Sequence, residues 1–265
     1  MPNRSMHCLP LLLLASALVT SACASSDGTN ETRDEAQQPI RGGTVDSGDP
    51  AVGYIRYNDG SVTGASCTGT LIAPDVVLTA AHCVYGRAYT NPGTFFQSFG
   101  TGVDGSNQHQ IVTSAVAPGF EPNSLCPGAN DVGLILLSTS AGVASADLRQ
   151  PSYGTPAVGA TCHIVGFGDD GTGARGTKRE ADVIVDPPYD ASHVTVHFGT
   201  GLSQGGDSGG PLFCKESDGV TRIAAVTECG SQINGGAKEH FSRVDTQRAW
   251  IARQIAQWHS RIVHH

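Results

Sequence analysis

A mainly β fold is predicted by three features of the 265-residue sequence. Glycine is abundant, at 34 residues, and aromatic residues make up only 6%. Short runs rich in Val and Thr alternate with clusters of Gly, Pro, Asn and Asp, the pattern of strands separated by tight turns. Hydrophobic residues at 39% and charged residues at 15% supply enough apolar material for a sizeable core and too little charge bias for general disorder. The net charge of −8 comes with no lysine or arginine cluster in the body of the chain. A nucleic-acid backbone would find no electrostatic footprint there, which excludes nucleic acid as a partner.

The first element is a targeting segment. Arg4 precedes a mostly apolar run from Leu9 to Val19, and small residues lead to Cys23. That run is too short to span a bilayer and reads as an export signal over residues 1–22. Val19-Thr20-Ser21-Ala22-Cys23 resembles a bacterial lipobox, with Thr20 where leucine is usual. Acylation of Cys23 would attach the protein to a bacterial cell envelope, whereas cleavage near Ala22 or Ala24 would release a secreted protein. Residues 23–39 are polar, carry Asp27, Glu31, Arg33, Asp34 and Glu35 without apolar periodicity, and read as a solvated linker or propeptide. Residues 40–265 show no second low-complexity linker and no internal repeat, and are expected to form one domain. At its end, Ile251, Ile255, Trp258 and Ile262 fall on one face of a helix.

Eight cysteines occur, at positions 8, 23, 67, 83, 126, 162, 214 and 229. Setting aside Cys8 in the signal and Cys23 leaves an even set in an exported domain, with no zinc-like C-x-x-C spacing. Disulfides are favoured over metal ligation, although the sequence alone leaves their connectivity open.

Three segments carry chemistry. Val76-Val77-Leu78-Thr79-Ala80-Ala81-His82-Cys83 is a β-type apolar run that ends in a candidate base, His82. Asn130-Asp131 opens the apolar run 132–137, placing one carboxylate where it can be buried and orient an imidazole. Gly205-Gly206-Asp207-Ser208-Gly209-Gly210-Pro211 surrounds a serine with glycines, which allow a tight turn and bring backbone N–H groups toward a substrate carbonyl. Each segment alone has a bland reading, as a structural histidine, a turn aspartate or a loop. Their joint occurrence in the order His, Asp, Ser points to an acyl-transfer nucleophile.

T-A-A-H-C, N-D-V-G-L-I-L-L and G-D-S-G-G-P resemble the three active-site blocks of chymotrypsin-like serine proteases. The resemblance spans residues 40–265. Ile40-Arg41-Gly42-Gly43 resembles the mature start of that family, Ser66-Cys67-Thr68-Gly69-Thr70 its cysteine-bearing strand, and Cys162-His163-Ile164-Val165-Gly166-Phe167-Gly168 its C-x-x-x-G-x-G segment. It implies two six-stranded antiparallel β-barrels with the active site between them and a C-terminal α-helix. It also implies an endopeptidase in which Ser208 attacks the peptide carbonyl, His82 takes and returns the proton, and Asp131 holds the imidazole. The N–H groups of Gly206 and Ser208 would form the oxyanion hole. Protein or peptide substrates, no metal or organic cofactor, and a monomeric state are expected.

Further expectations follow from the resemblance. Cys67 would pair with Cys83 and Cys162 with Cys214. Gln204 stands where the family's pocket bridge would have a cysteine, so Cys126 and Cys229 are expected to pair with each other instead. A new N-terminus at Ile40 would pair with Asp207, although Pro39 and Arg41 depart from the usual activation context. Leu202, six residues before Ser208, is expected at the base of the specificity pocket. An apolar base favours neutral substrate side chains, because a buried cation there would lack a partner. Glu239, near the far pocket wall, would instead admit a basic residue if it faces the pocket. Thr227 and Gly230 are expected on the substrate-pairing strand, where Thr227-Glu228-Cys229-Gly230 departs from the family's S-W-G.

Two readings of other classes stay open on the residues alone. A catalytically silent protease-fold module would bind or adhere without chemistry. An esterase of the α/β-hydrolase type would want G-x-S-x-G and its histidine last, whereas His82 comes first.

Overall fold

The computed structural model describes residues 40, 42–57, 65–87, 93–97, 101–103, 105–122, 126, 128–145, 147–169, 173–233 and 236–262. The export signal, the polar segment 23–39 with Cys23, and Arg41 lie outside the described residues.

Six strands close the first barrel: β2 (Val52–Tyr57), β3 (Ala65–Ala73), β4 (Val76–Thr79), β5 (Thr94–Gln97), β6 (Gln108–Val116) and β7 (Gly133–Leu137), in the order β2-β3-β4-β7-β6-β5. The second barrel closes through β8 (Thr161–Gly166), β9 (Arg179–Val185), β10 (His193–Phe198), β13 (Gly236–Arg243), β12 (Thr221–Ile233) and β11 (Pro211–Lys215). All these pairings are antiparallel. The short strand β1 (Thr44–Val45) adds to the start of β9.

The uninterrupted apolar runs in β4 and β7 follow from burial on both faces. Side chains alternate across a strand with period two. In β7, Leu134 and Leu136 therefore join a cluster shared between the barrels with Val165, Phe213 and Val226. Ile135 and Leu137 join a cluster made within the first barrel, with Ile55, Val77 and Phe95. A polar residue at either parity would be buried, which is why the pattern reads GLILL rather than alternating. The second barrel has its own core around Ile164, Val183, Val196 and Phe241.

The terminal helix α2 (Arg248–Ile262) lays Ile251 and Trp258 into the shared cluster, with Ile255 partly buried beside them. His259 Nε2 reaches Asp75 Oδ1 at 3.0 Å, fastening the helix to the turn between β3 and β4. Three disulfides, Cys67–Cys83, Cys126–Cys229 and Cys162–Cys214, staple the domain and mark it as a protein of an oxidising, extracellular setting.

Candidate active site

Strands β4 and β7 are neighbours, with Thr79 opposite Gly133, so the residues just beyond them emerge at one end of the first barrel. The chain after β4 makes a single helical turn, α1 (Ala81–Val84), which carries His82. Before β7, Asn130 adopts a left-handed φ of 56°, a conformation that asparagine tolerates better than most residues. This turn delivers Asp131, which is buried at 3% exposure. The Asp131 carboxylate is shared by two donors of one residue: the His82 backbone N–H reaches Oδ1 at 2.7 Å, and Nδ1 lies 2.5 Å from Oδ2. Nδ1–H therefore donates to Asp131, leaving Nε2 free of the proton in the neutral ring. Burial disfavours the charged imidazole, but the hydrogen bond and charge of Asp131, with the more distant charge of Glu228, outweigh it and raise the His82 pKa.

Ser208 comes from the second barrel, on the loop just before β11. Thr68 connects that loop to the first barrel. Its N–H donates to Ser208 O at 2.9 Å, its Oγ1 donates to Gly206 O at 3.1 Å, and its carbonyl accepts from Thr79 Oγ1 at 2.8 Å. Gly206 has a φ of 108° and Gly209 a φ of 79°, both in the left-handed region. At Gly209 a Cβ would lie 2.0 Å from Thr79 Oγ1 and 2.6 Å from Thr68 O. The serine loop thus presses its bare backbone onto the ends of the strands that lead to His82, and only glycine permits that approach. Cys83 Sγ lies 3.7 Å from His82 Nε2 and 3.6 Å from Ser208 O, so the base and the serine loop border one disulfide. Among the described residues no hydrogen bond joins Ser208 Oγ to the ring; such contacts commonly tighten only when substrate is bound.

Asp207 is buried at 1% exposure. Its oxygens accept the Gly168 N–H at 2.6 Å and the Gln204 N–H at 2.8 Å. Burial pushes its carboxyl up to about 6, against those two hydrogen bonds and the charge of Arg175. Among the described residues no hydrogen bond or ion pair joins Ile40 to Asp207; the Ile40 side chain is buried in the second-barrel core.

The residues expected at the specificity pocket are divided between core and interior polar positions. Leu202 packs into the second-barrel cluster with Ile40 and Phe241. Glu239, on β13, is 4% exposed, accepts from Ser203 Oγ at 2.7 Å through Oε1, and has no partner at Oε2 among the described residues. Burial raises its carboxyl to about 7, opposed by Ser203 and reinforced by the charge of Asp207. Thr227 Oγ1 donates to Gly210 O at 3.1 Å, and Gly230 stands opposite Glu239. Between Thr227 and Cys229 the register with β13 slips by one residue, so Glu228 sits at a bulge. The cavity beside His82, about 200 Å³, is lined by Phe120, Glu121, Glu228 and Cys229 among others. Cys67, His82 and Cys83 lie within reach of one ion. The two sulfurs are bonded to each other and offer no thiolate.

Reading the sequence missed Thr68, Ser242 and Glu228. Ser242 accepts the Asp131 N–H at 3.1 Å and donates to Glu228 Oε2 at 2.7 Å. An acidic residue, Glu228, soon after the buried apolar run 223–226 was the available signal.

Two β-barrels that meet around a histidine, an aspartate and a glycine-cradled serine define a serine-type endopeptidase. The family model for Trypsin matches residues 43–251, and the chain belongs to the trypsin family. Among curated relatives, chymotrypsin-like elastase family member 3B of Homo sapiens is 28% identical, covering 93% of this chain and 99% of its own. Proproteinase E of Bos taurus is 29% identical, over 80% of this chain and 95% of its own. The snake venom serine protease catroxase-2 of Crotalus atrox is 27% identical, over 72% and 78%.

Proposed function

We propose that Ser208, His82 and Asp131 act as one triad that cleaves peptide bonds through an acyl-enzyme. The observation that carries this reading is the 2.5 Å contact between His82 Nδ1 and the buried Asp131 carboxylate, which assigns the ring tautomer a general base needs. His82 Nε2 takes the Ser208 proton as Oγ attacks the carbonyl. It returns the proton to the leaving amine, and a water then repeats the sequence on the ester. The N–H groups of Gly206 and Ser208 are the oxyanion donors of this reading, and the Thr68 hydrogen bonds to the carbonyls of both residues support it. Casein hydrolysis by the wild type and its loss in Ser208→Ala is the test; hydrolysis retained by the variant would refute the assignment.

The catalytic domain of this reading is 40–265, preceded by an export signal over 1–22 and a polar segment over 23–39. Cys23 is its lipid-attachment residue, and the enzyme works as a monomer. Activation is by cleavage before Ile40. Asp207 supports this, since it is a buried carboxyl with no cation within ion-pair distance among the described residues, and an ammonium brought in by the already buried Ile40 would supply one. N-terminal sequencing of the active enzyme gives Ile40 on this account. Full activity with residues 23–39 still attached would contradict it.

For the cleaved residue, the protonated Glu239 and apolar Leu202 favour neutral side chains at mildly acidic pH. Ionisation of Glu239 through about pH 7 then makes the pocket receptive to Lys or Arg.

A further inference from the structure

A buried polar network runs from the Asp131 loop into the second barrel, through a residue at a position where the family pattern has no acid. Glu228 occupies the bulge in β12, and such a bulge re-aims a side chain. Its Oε2 accepts from Ser242 Oγ at 2.7 Å, and Ser242 Oγ in turn accepts the Asp131 N–H at 3.1 Å. Its Oε1 accepts the N–H of Gly128, three residues before Asp131. The neighbouring Cys229 is bonded to Cys126 in the same loop.

The far side of Glu228 is held by His193, whose residue is 1% exposed. Nε2 lies 3.0 Å from Glu228 Oε2 and 2.9 Å from Gly128 O, while Nδ1 lies 2.7 Å from Asp190 Oδ1. Both ring nitrogens face acceptors, so both must donate, and that requires the imidazolium. Burial alone would lower its pKa, but Glu228 and Asp190 overcome burial and raise it to about 9. The other titratable groups facing His193 are Tyr189 from its own loop and His240 from β13, with Lys238 farther along that strand. Among the described residues of the loop before Asp131, it is the Gly128 backbone carbonyl that reaches it.

We propose that Glu228, paired with His193, is a positioning residue that fixes the Asp131 loop and thereby the orientation of His82. The proposal rests on the triad reading above. Unlike the disulfide beside it, which limits only how far the loop can move, Glu228 holds the Gly128 amide directly and the Asp131 amide through Ser242 Oγ, and these two amides bracket the loop's last turn. Its charge also contributes to keeping the His82 pKa raised, after burial and Asp131 have had their larger effects.

The test compares wild type, Glu228→Gln and Ser242→Ala in kcat, KM and pH profile on a small peptide substrate, with melting temperature measured alongside. Glu228→Gln is expected to lose about 10- to 100-fold in kcat, the scale of a misplaced catalytic group. Its KM stays within about twofold of wild type, since the lost interaction positions a catalytic group rather than binding substrate. The acidic limb of kcat/KM moves to lower pH, because removing an anion lowers the His82 pKa. Ser242→Ala, which cuts only the link to the Asp131 amide, loses kcat without moving the limb as far. A folded Glu228→Gln with unchanged kcat and limb overturns the proposal, as does a changed KM at unchanged kcat, which would make Glu228 a substrate contact. If Glu228→Gln does not fold, retained kcat in Ser242→Ala overturns it. A wild type that neither hydrolyses peptide nor reacts at Ser208 would instead overturn the triad reading.

Discussion

The two sides of the cleft are built by different rules. On the first-barrel side, His82 lies three residues after β4 and Asp131 two residues before the adjacent β7, and the strand register brings them together. On the second-barrel side, the proposed pocket residues and their supports are gathered from the serine loop, a bulged β12 and β13, and the important contacts cross between elements distant in sequence. The first arrangement tolerates little change, because the chemistry dictates residue type at a few fixed offsets. The second tolerates much, because a pocket needs only a shape and a charge that many combinations supply.

Removing the nucleophile is the most severe way to break the first side. Ser208→Ala should lower kcat by about 10⁶-fold, the scale on which loss of a triad serine acts. Binding of a peptide substrate should survive it. Active-site titration together with an inhibitor-displacement measurement separates the two effects.

The staple between the sides comes next. Cys126–Cys229 closes a separation of 103 residues, and its removal as Cys126→Ser with Cys229→Ser should cost up to about 4–5 kcal/mol if loop entropy dominates. For a domain of this size that is a melting temperature lower by about 10 °C or more. An unchanged melting temperature would mean the loop is already constrained elsewhere.

Gly209→Ala tests the contact by which the serine loop rests on the first barrel. A left-handed φ and a Cβ 2.0 Å from Thr79 Oγ1 combine strain with overpacking. The expected destabilisation is about 3 kcal/mol, with activity reduced even where the protein still folds. Thermal unfolding and labelling at Ser208 measure the two parts.

A smaller effect comes from His193. Its folded-state pKa of about 9 lies above the ordinary 6.5, so its stabilisation is fully present below 6.5 and is lost as pH rises through about 9. Melting temperature should fall across that window in the wild type and fall less in His193→Asn. Equal slopes in the two proteins would remove His193 from the account.

Glu239 gives the smallest expected change and sharpens the second side. Preference for Lys or Arg over an apolar residue at the cleaved bond should rise about tenfold or more between pH 6 and 8, the worth of one charge-assisted hydrogen bond. The rise should vanish in Glu239→Gln. A pH-independent apolar preference in the wild type would leave Leu202 as the sole determinant.

The same contrast explains what could be read from the sequence. The β class and the terminal helix were legible, since turn clusters between short apolar runs and the apolar face of α2 leave direct marks, as at Ile251 and Trp258, whereas the paired barrels were legible only through the resemblance of the three motifs to a family. His82, Asp131 and Ser208 were legible as candidates because each stands in a motif whose flanks are themselves constrained, Gly209 by the backbone of Thr68. The role of Thr68 was not, because it acts through backbone groups on a loop more than a hundred positions away. Glu228 and His193 were not legible either. A one-residue bulge decides where Glu228 points, and no local pattern announces that His193 will meet two carboxylates.

The most direct test of the central claim is reaction of the mature protein with a fluorophosphonate, followed by mass mapping of the adduct. Labelling at Ser208 that is abolished in His82→Ala and weakened in Asp131→Asn is the result the triad predicts. A folded, mature wild type that takes no label, or one labelled as fast without His82 as with it, would contradict it.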